Sequence, residues 1–226
     1  MTKMEILPGV YRIDLRVSNC FLIAEDSGLT LIDAGLRRSF TPLVDFIRSL
    51  GRSPSELKSI LLTHADLDHV GAAPALNSHF GASIFTSSIE AEALAHGRSS
   101  RPIQVGVLIP LFNWFERLNG AMQVEVDRTI SDWDQLPILG GLRVIATPGH
   151  TPGHLSFYAP RHKLLFAGDS VSTQPDTVLY NRMKIFNWDQ AQMQASVQRQ
   201  AALRPEIVCS GHGPVVFGAA GKFPKG

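Results

Sequence analysis

The chain has 226 residues, 44% hydrophobic and 18% charged, with a formal net charge of +1 at neutral pH. That composition fits a single globular domain over residues 1–226, and the balanced charge speaks against nucleic acid as a partner. The most apolar stretch, 105–115, is broken by Gly106, Pro110 and Asn113 and falls short of the ~20 residues a membrane span needs, so no membrane partner is expected.

The elements follow in chain order. Residues 9–15, 20–25 and 29–33 read as strands of a meander, the last two separated by the turn-like Asp26-Ser27-Gly28. Thr41-Pro42 opens a helix with Leu43, Phe46, Ile47 and Leu50 as its apolar stripe and Gly51 as its stop. Next come a strand at 57–63, a helix at 74–80, a strand at 83–86 and a helix at 89–95 capped by Ser88. Residues 98–122 break the rhythm with bulky apolar side chains, read either as a helix on the core or as a lid or pocket wall. Strands resume at 124–126, 142–146, 155–158 and 163–167, the last two as a hairpin across Pro160-Arg161-His162. Residues 171–186 are expected to be irregular, Asn187-Trp188-Asp189 starts a helix reaching Leu203, and 206–209 is the final core strand. Met1–Pro8 has no apolar leader, and Cys20 and Cys209 fit no paired motif. A cytoplasmic protein with reduced core thiols is the expectation.

Chemistry concentrates in Thr63-His64-Ala65-Asp66-Leu67-Asp68-His69, directly after an apolar run. Buried ionisable groups cost several kcal/mol each unless paired or coordinated, so this density points to metal ligation. An extended chain puts His64 and Asp66 on one side, and a turn is needed to bring in Asp68 and His69. Three more candidates follow apolar strands and are flanked by glycine: His150 in Gly149-His150, Asp169 in Gly168-Asp169 and His212 in Gly211-His212-Gly213. Four strand ends with ligand-type residues are hard to reconcile with folding needs alone.

Together with Leu31-Ile32-Asp33-Ala34-Gly35, these motifs resemble those of the metallo-β-lactamase-fold metallohydrolases, in the same order and over nearly the whole chain. The resemblance implies an α/β fold, a four-layer αβ/βα sandwich of two mixed sheets flanked by helices, with a two-metal site at one edge. The family spans thioesterases of the glyoxalase II kind, lactonases, β-lactamases, phosphodiesterases and ribonucleases, so the fold names no substrate. Carried over by position, one metal would take His64, Asp66 and His150, and the other Asp68, His69 and His212, with Asp169 bridging. The family's loop is His-x-His-x-Asp-His, whereas this chain has Asp66 at the second histidine. Two divalent ions per chain, zinc, iron or manganese, are expected, the extra carboxylate favouring manganese or iron. Asp66 reaches its ion directly or through a water; the second case leaves that position weak.

The expected chemistry is metal-assisted hydrolysis, in which hydroxide attacks a small ester, thioester or lactone, with Asp68 and Asp169 also counted as catalytic. Asp33 is expected to orient a ligand from behind, or simply to cap a turn. His154 stands close enough to His150 for proton transfer or a structural hydrogen bond. Trp114 is the candidate contact for an apolar part of a small-molecule substrate, and Tyr180, Arg182 and Lys184 for a carboxylate or phosphate. Alternatives are a diiron redox enzyme related to flavodiiron proteins, a phosphodiesterase, and a metal-binding scaffold without turnover.

Overall fold

Seven strands form the first sheet: β1 (Lys3–Leu7), β2 (Val10–Asp14), β3 (Asn19–Glu25), β4 (Gly28–Ile32), β5 (Leu57–Leu61), β6 (Ser83–Thr86) and β7 (Arg128–Thr129), paired in that order. The computed structural model describes residues 3–101, 123–181 and 187–224. The meander β1 to β4 is antiparallel, and β4, β5, β6 and β7 then run parallel. Parallel pairs need crossover connections. Those described are α1 (Phe40–Ser49) between β4 and β5, and α2 (Leu67–Val70) with α3 (Ala73–Phe80) between β5 and β6. The helix α4 (Ser88–Ala95) follows β6.

The second sheet has the order β15-β14-β11-β10-β9-β8. Its strands are β8 (Gln135–Leu136), β9 (Leu142–Ala146), β10 (Leu155–Ala159), β11 (Leu164–Gly168), β14 (Ile207–Ser210) and β15 (Val216–Phe217). Because β10 is antiparallel to both β9 and β11, and β14 is parallel to β11, the strands β9, β11 and β14 share one direction. A two-stranded ribbon, β12 (Val171–Gln174) with β13 (Thr177–Tyr180), and α5 (Gln190–Ala202) complete the described elements.

Period-two alternation assigns each strand residue to a layer. Phe21, Ile23, Ile32 and Leu61 meet Val144, Phe157, Leu164, Phe166 and Cys209 in a core between the sheets. Their neighbours Cys20, Leu22, Leu31 and Ile60 face the other way, onto Leu43, Ile47 and Leu76 of α1 and α3. Ile145, Leu165, Ala167 and Val208 likewise meet Met193 and Val197 of α5. The result is helix, sheet, sheet, helix. The Phe21 and Phe166 rings join the sheets at 5.4 Å. Each large side chain buried this way contributes about 1.5–3 kcal/mol, and central strands covered on both faces explain the near-continuous apolar runs.

Three expectations need correction. Residues 124–126 form no strand: Val124 and Val126 pack on the first core, and pairing begins only at Arg128, beside Phe85. The stretch 171–180, read as irregular, is the β12–β13 ribbon, reversed at Pro175-Asp176 with Asp176 at φ 59 and with Val171 and Val178 buried. Ser87, not Ser88, caps α4 through its hydroxyl. The lid-or-helix question over 98–122 falls almost wholly outside the described residues, as does Trp114. Among the described residues no helix is long and apolar enough to cross a membrane.

Candidate metal centre

Every ligand-type residue sits just beyond the carboxyl end of a strand. Asp33 follows β4, the loop 63–69 follows β5, His150 follows β9, Asp169 follows β11, and His212 follows β14. The shared strand direction within each sheet brings these ends to one edge. Backbone bonds then stitch the loops together: Leu155 N–H donates to Thr63 O (2.8 Å), Asn19 N–H to Gly211 O (2.8 Å) and Gly211 N–H to Gly168 O (2.8 Å). The Asn19 amide adds bonds to Ser210 O (2.9 Å) and Gly213 O (2.8 Å).

Within the loop 63–69, Asp66 is extended (φ −82, ψ 145) and α2 begins at Leu67, so Asp68 and His69 lie on its first turn. Three groups result, each with ligand atoms within 4.8 Å of one another: His64, Asp66 and His150; His64, His69 and Asp169; Asp68, His69 and His212. Asp169 lies among them, with Oδ1 3.4 Å from His69 Nε2 and Oδ2 3.1 Å from His212 Nε2 and 3.7 Å from His150 Nε2. All seven residues are brought together. Five are buried around the cluster, and the Asp68 and His212 side chains are 26% and 42% exposed.

Hydrogen bonds fix the ring orientations. The Asp33 carboxylate only accepts, so His69 Nδ1–H donates to its Oδ2 (2.8 Å). Thr63 donates its N–H (2.8 Å) and its hydroxyl (2.9 Å) to the same carboxylate. That hydroxyl has one proton, so it accepts from His64 Nδ1–H (2.9 Å). His150 Nδ1–H donates to Asn187 Oδ1 (3.1 Å), whose amide nitrogen donates to Gln190 Oε1 (3.1 Å). Three imidazoles are therefore tied at Nδ1 to protein acceptors and turn Nε2 inward. His64 Nε2, His69 Nε2 and Asp169 Oδ1 are buried with no hydrogen-bond partner among the described residues. Each such orphan costs roughly 1–3 kcal/mol, a penalty that a coordinated cation removes. The donor set fits divalent ions.

The charges follow. Burial pushes the Asp66 carboxyl up, but Arg101, His150 and His64 outweigh it and hold it well below the usual carboxylate range. Asp169 is also held well below, burial being overcome by His69, His212 and His150. Burial lowers His69, yet Asp169, Asp68 and Asp33 raise it well above an ordinary histidine. His212 is raised too, with burial outweighed by Asp169. His154 is pushed well down by burial and by His64 and His150.

Of the supporting residues, Asp33 takes the orienting place behind His69. His154 is engaged at both nitrogens, accepting from Asp169 N–H (3.0 Å) and donating to Thr147 Oγ1 (2.8 Å), which makes it a structural brace for the Asp169 turn. Tyr180 turns toward α5, where Gln198 donates to its hydroxyl (3.0 Å) and its ring packs on the third core cluster. Arg182 and Lys184 lie outside the described residues.

Sequence reasoning missed several participants. Glu90 of α4, fully buried, accepts from Ala65 N–H (2.9 Å), Thr151 (2.6 Å), Ser100 (2.7 Å) and Gly153 N–H (3.0 Å), tying the two ligand loops together. Its place three residues after Ser87 resembles an ordinary cap motif, which hides this role. Arg101 Nη2 lies 2.6 Å from Asp66 Oδ2, and Ser99 donates to Asp66 Oδ1 (2.7 Å). No spacing in the sequence signals that contact.

Comparison with known proteins agrees with this geometry. Residues 13–212 match the family model described as the metallo-beta-lactamase superfamily. The chain is 28% identical to the probable metallo-hydrolase YflN of Bacillus subtilis, over 92% of this chain and 85% of that protein. It is 32% identical to hydroxyacylglutathione hydrolase GloC of Haemophilus influenzae, over 74% of this chain and 71% of that one. Among solved structures, a variant of the HARLDQ-motif metallo-β-lactamase of Cronobacter sakazakii superposes with a TM-score of 0.72 at 25% identity, covering 93% of this chain and 80% of that chain.

Proposed function

The chain belongs to the metallo-β-lactamase superfamily and is a metal-dependent hydrolase; from that footing we propose that it holds two divalent ions and cleaves a small thioester, ester or lactone. His64, Asp66 and His150 would hold one ion, Asp68, His69 and His212 the other, and Asp169 would lie between them. The observation that carries this reading is the set of three histidines with Nδ1 tied to protein acceptors and Nε2 aimed at buried carboxylates, two of those nitrogens having no partner among the described residues.

When bound there, divalent ions supply Lewis-acid polarisation and make water more acidic. The chain's own part is to hold and orient. Asp33 and Asn187 keep the ring protons on the outer nitrogens of His69 and His150, Thr63 does the same for His64, and His154 braces the backbone at Asp169. Asp68 and His212, 26% and 42% exposed at their side chains, line the open side of the centre. The thioester heads the substrate list because of the hydroxyacylglutathione hydrolase relative.

The test is metal analysis of the purified protein together with rates on thioester, ester, lactone and phosphodiester panels. About two metals per chain, lost activity on chelation, and preference for an acyl substrate are expected. Asp66→Ala should lower the metal content. Full occupancy with unchanged rates in that variant would remove Asp66 from the ligand set, and preference for the phosphodiester would overturn the substrate class.

A further inference from the structure

The first of the two candidate ion positions is the more buried, and it already faces a cation. Arg101 Nη2 sits 2.6 Å from Asp66 Oδ2 and Nη1 3.3 Å from His150 Nε2, two of the three ligand atoms grouped there with His64 Nε2. Ser99 holds the other Asp66 oxygen at 2.7 Å. The Arg101 and Asp66 side chains are only 17% and 9% exposed, so water screens the pair weakly. At the second position, the ion pairs of Asp68 and Asp169 among the described residues are all with histidines.

A histidine facing an incoming ion can give up its proton and become a ligand. A guanidinium cannot lose its charge in a protein, so it has to move away. We propose that Arg101 is a built-in competitor for the first ion position, so that the Asp68–His69–His212 position fills first and the Asp66 position fills more weakly, as Arg101 is displaced. This rests on the two-ion reading above and assigns its asymmetry to a named residue. Ion occupancy and the position of Arg101 become linked: a filled first position displaces the guanidinium from Asp66 and His150.

Titration calorimetry of the metal-free full chain with zinc, and separately with manganese, tests this, with a competing chelator where binding is tight. The parent should show two resolved events. Arg101→Met, which keeps the length and removes the charge, should tighten the weaker event by about tenfold to a hundredfold and leave the tighter one within about twofold. Arg101→Lys should stay near the parent, and Arg101→Met should have no effect once Asp66→Ala is present. Arg101→Gln replaces the methionine variant if thermal melting shows that variant to be misfolded. Two indistinguishable events in the parent, or a weaker event that is unchanged or weakened in Arg101→Met, would overturn the proposal while leaving the two-ion reading intact. Tightening in Arg101→Lys equal to that in Arg101→Met would overturn it as well. Failure of the parent to take up either metal would sink the two-ion reading itself, and this inference with it.

Discussion

Replacing Asp33 by asparagine isolates what a single carboxylate does for this centre. Its oxygens accept from Thr63 N–H (2.8 Å), the Thr63 hydroxyl (2.9 Å) and His69 Nδ1–H (2.8 Å). Asparagine keeps the shape and tolerates the left-handed backbone at this position (φ 57), which alanine would strain. It offers one accepting oxygen, however, and turns the other position into a donor. Whichever way the amide faces, a buried N–H meets an NH2. If that N–H belongs to His69, the ring is driven to the other tautomer and its inward lone pair is lost. A hydrogen bond to a charged group is worth about 1.5–3 kcal/mol, so the metal-free variant should lose about 2–3 kcal/mol in urea unfolding. Loss of an orienting partner behind a ligand typically costs about tenfold to a hundredfold in metal affinity, and calorimetric titration should show it. Stability within about 0.5 kcal/mol of the parent together with unaltered metal affinity would refute the orienting role.

Glu90→Gln leaves four donors facing a group with one acceptor, so it should cost about 2 kcal/mol of stability and slow turnover by loosening the Ala65 and Thr151 loops together; urea melts and steady-state rates check it. A methyl group at Gly211 would run into Asp169 Oδ1 and lie 2.7 Å from His69 Cε1, so Gly211→Ala should lower metal stoichiometry by elemental analysis while adjacent secondary structure, followed by circular dichroism, is retained. Asp189 caps α5, and its carboxyl is held below the usual range by the Gln192 backbone N–H, the Gln192 side chain and the Ala191 N–H. A depressed folded pKa contributes stability above the unfolded value and loses it as pH falls through the folded one. Asp189→Ala should therefore melt at a lower temperature than the parent at neutral pH, with the gap closing below about pH 4; a gap that persists in acid would remove the charge from the explanation.

The sequence marked most of the strands, and its resemblance to a known family implied the layers and the residues that the fold gathers at one edge. Apolar runs such as 20–23 and 164–167 have only one way to bury both faces of a strand, and ligand-type side chains placed after those runs had to emerge at strand ends. What it could not carry was any contact between segments distant in the chain. Whether Asp33 merely capped a turn or held His69, 36 positions away, depended on β4 and β5 being parallel neighbours. The β12–β13 ribbon was hidden because short, half-polar strands read as loop until a partner is found. Glu90 looked like a helix cap and Arg101 like a loop cation, because local spacing reports helix faces and turns but not which loops a folded edge brings within 3 Å. Propensity and periodicity act over a few residues, and they decided the elements. Tertiary packing alone decided that a carboxylate from α4 would tie two loops together and that a guanidinium would stand against Asp66 and His150.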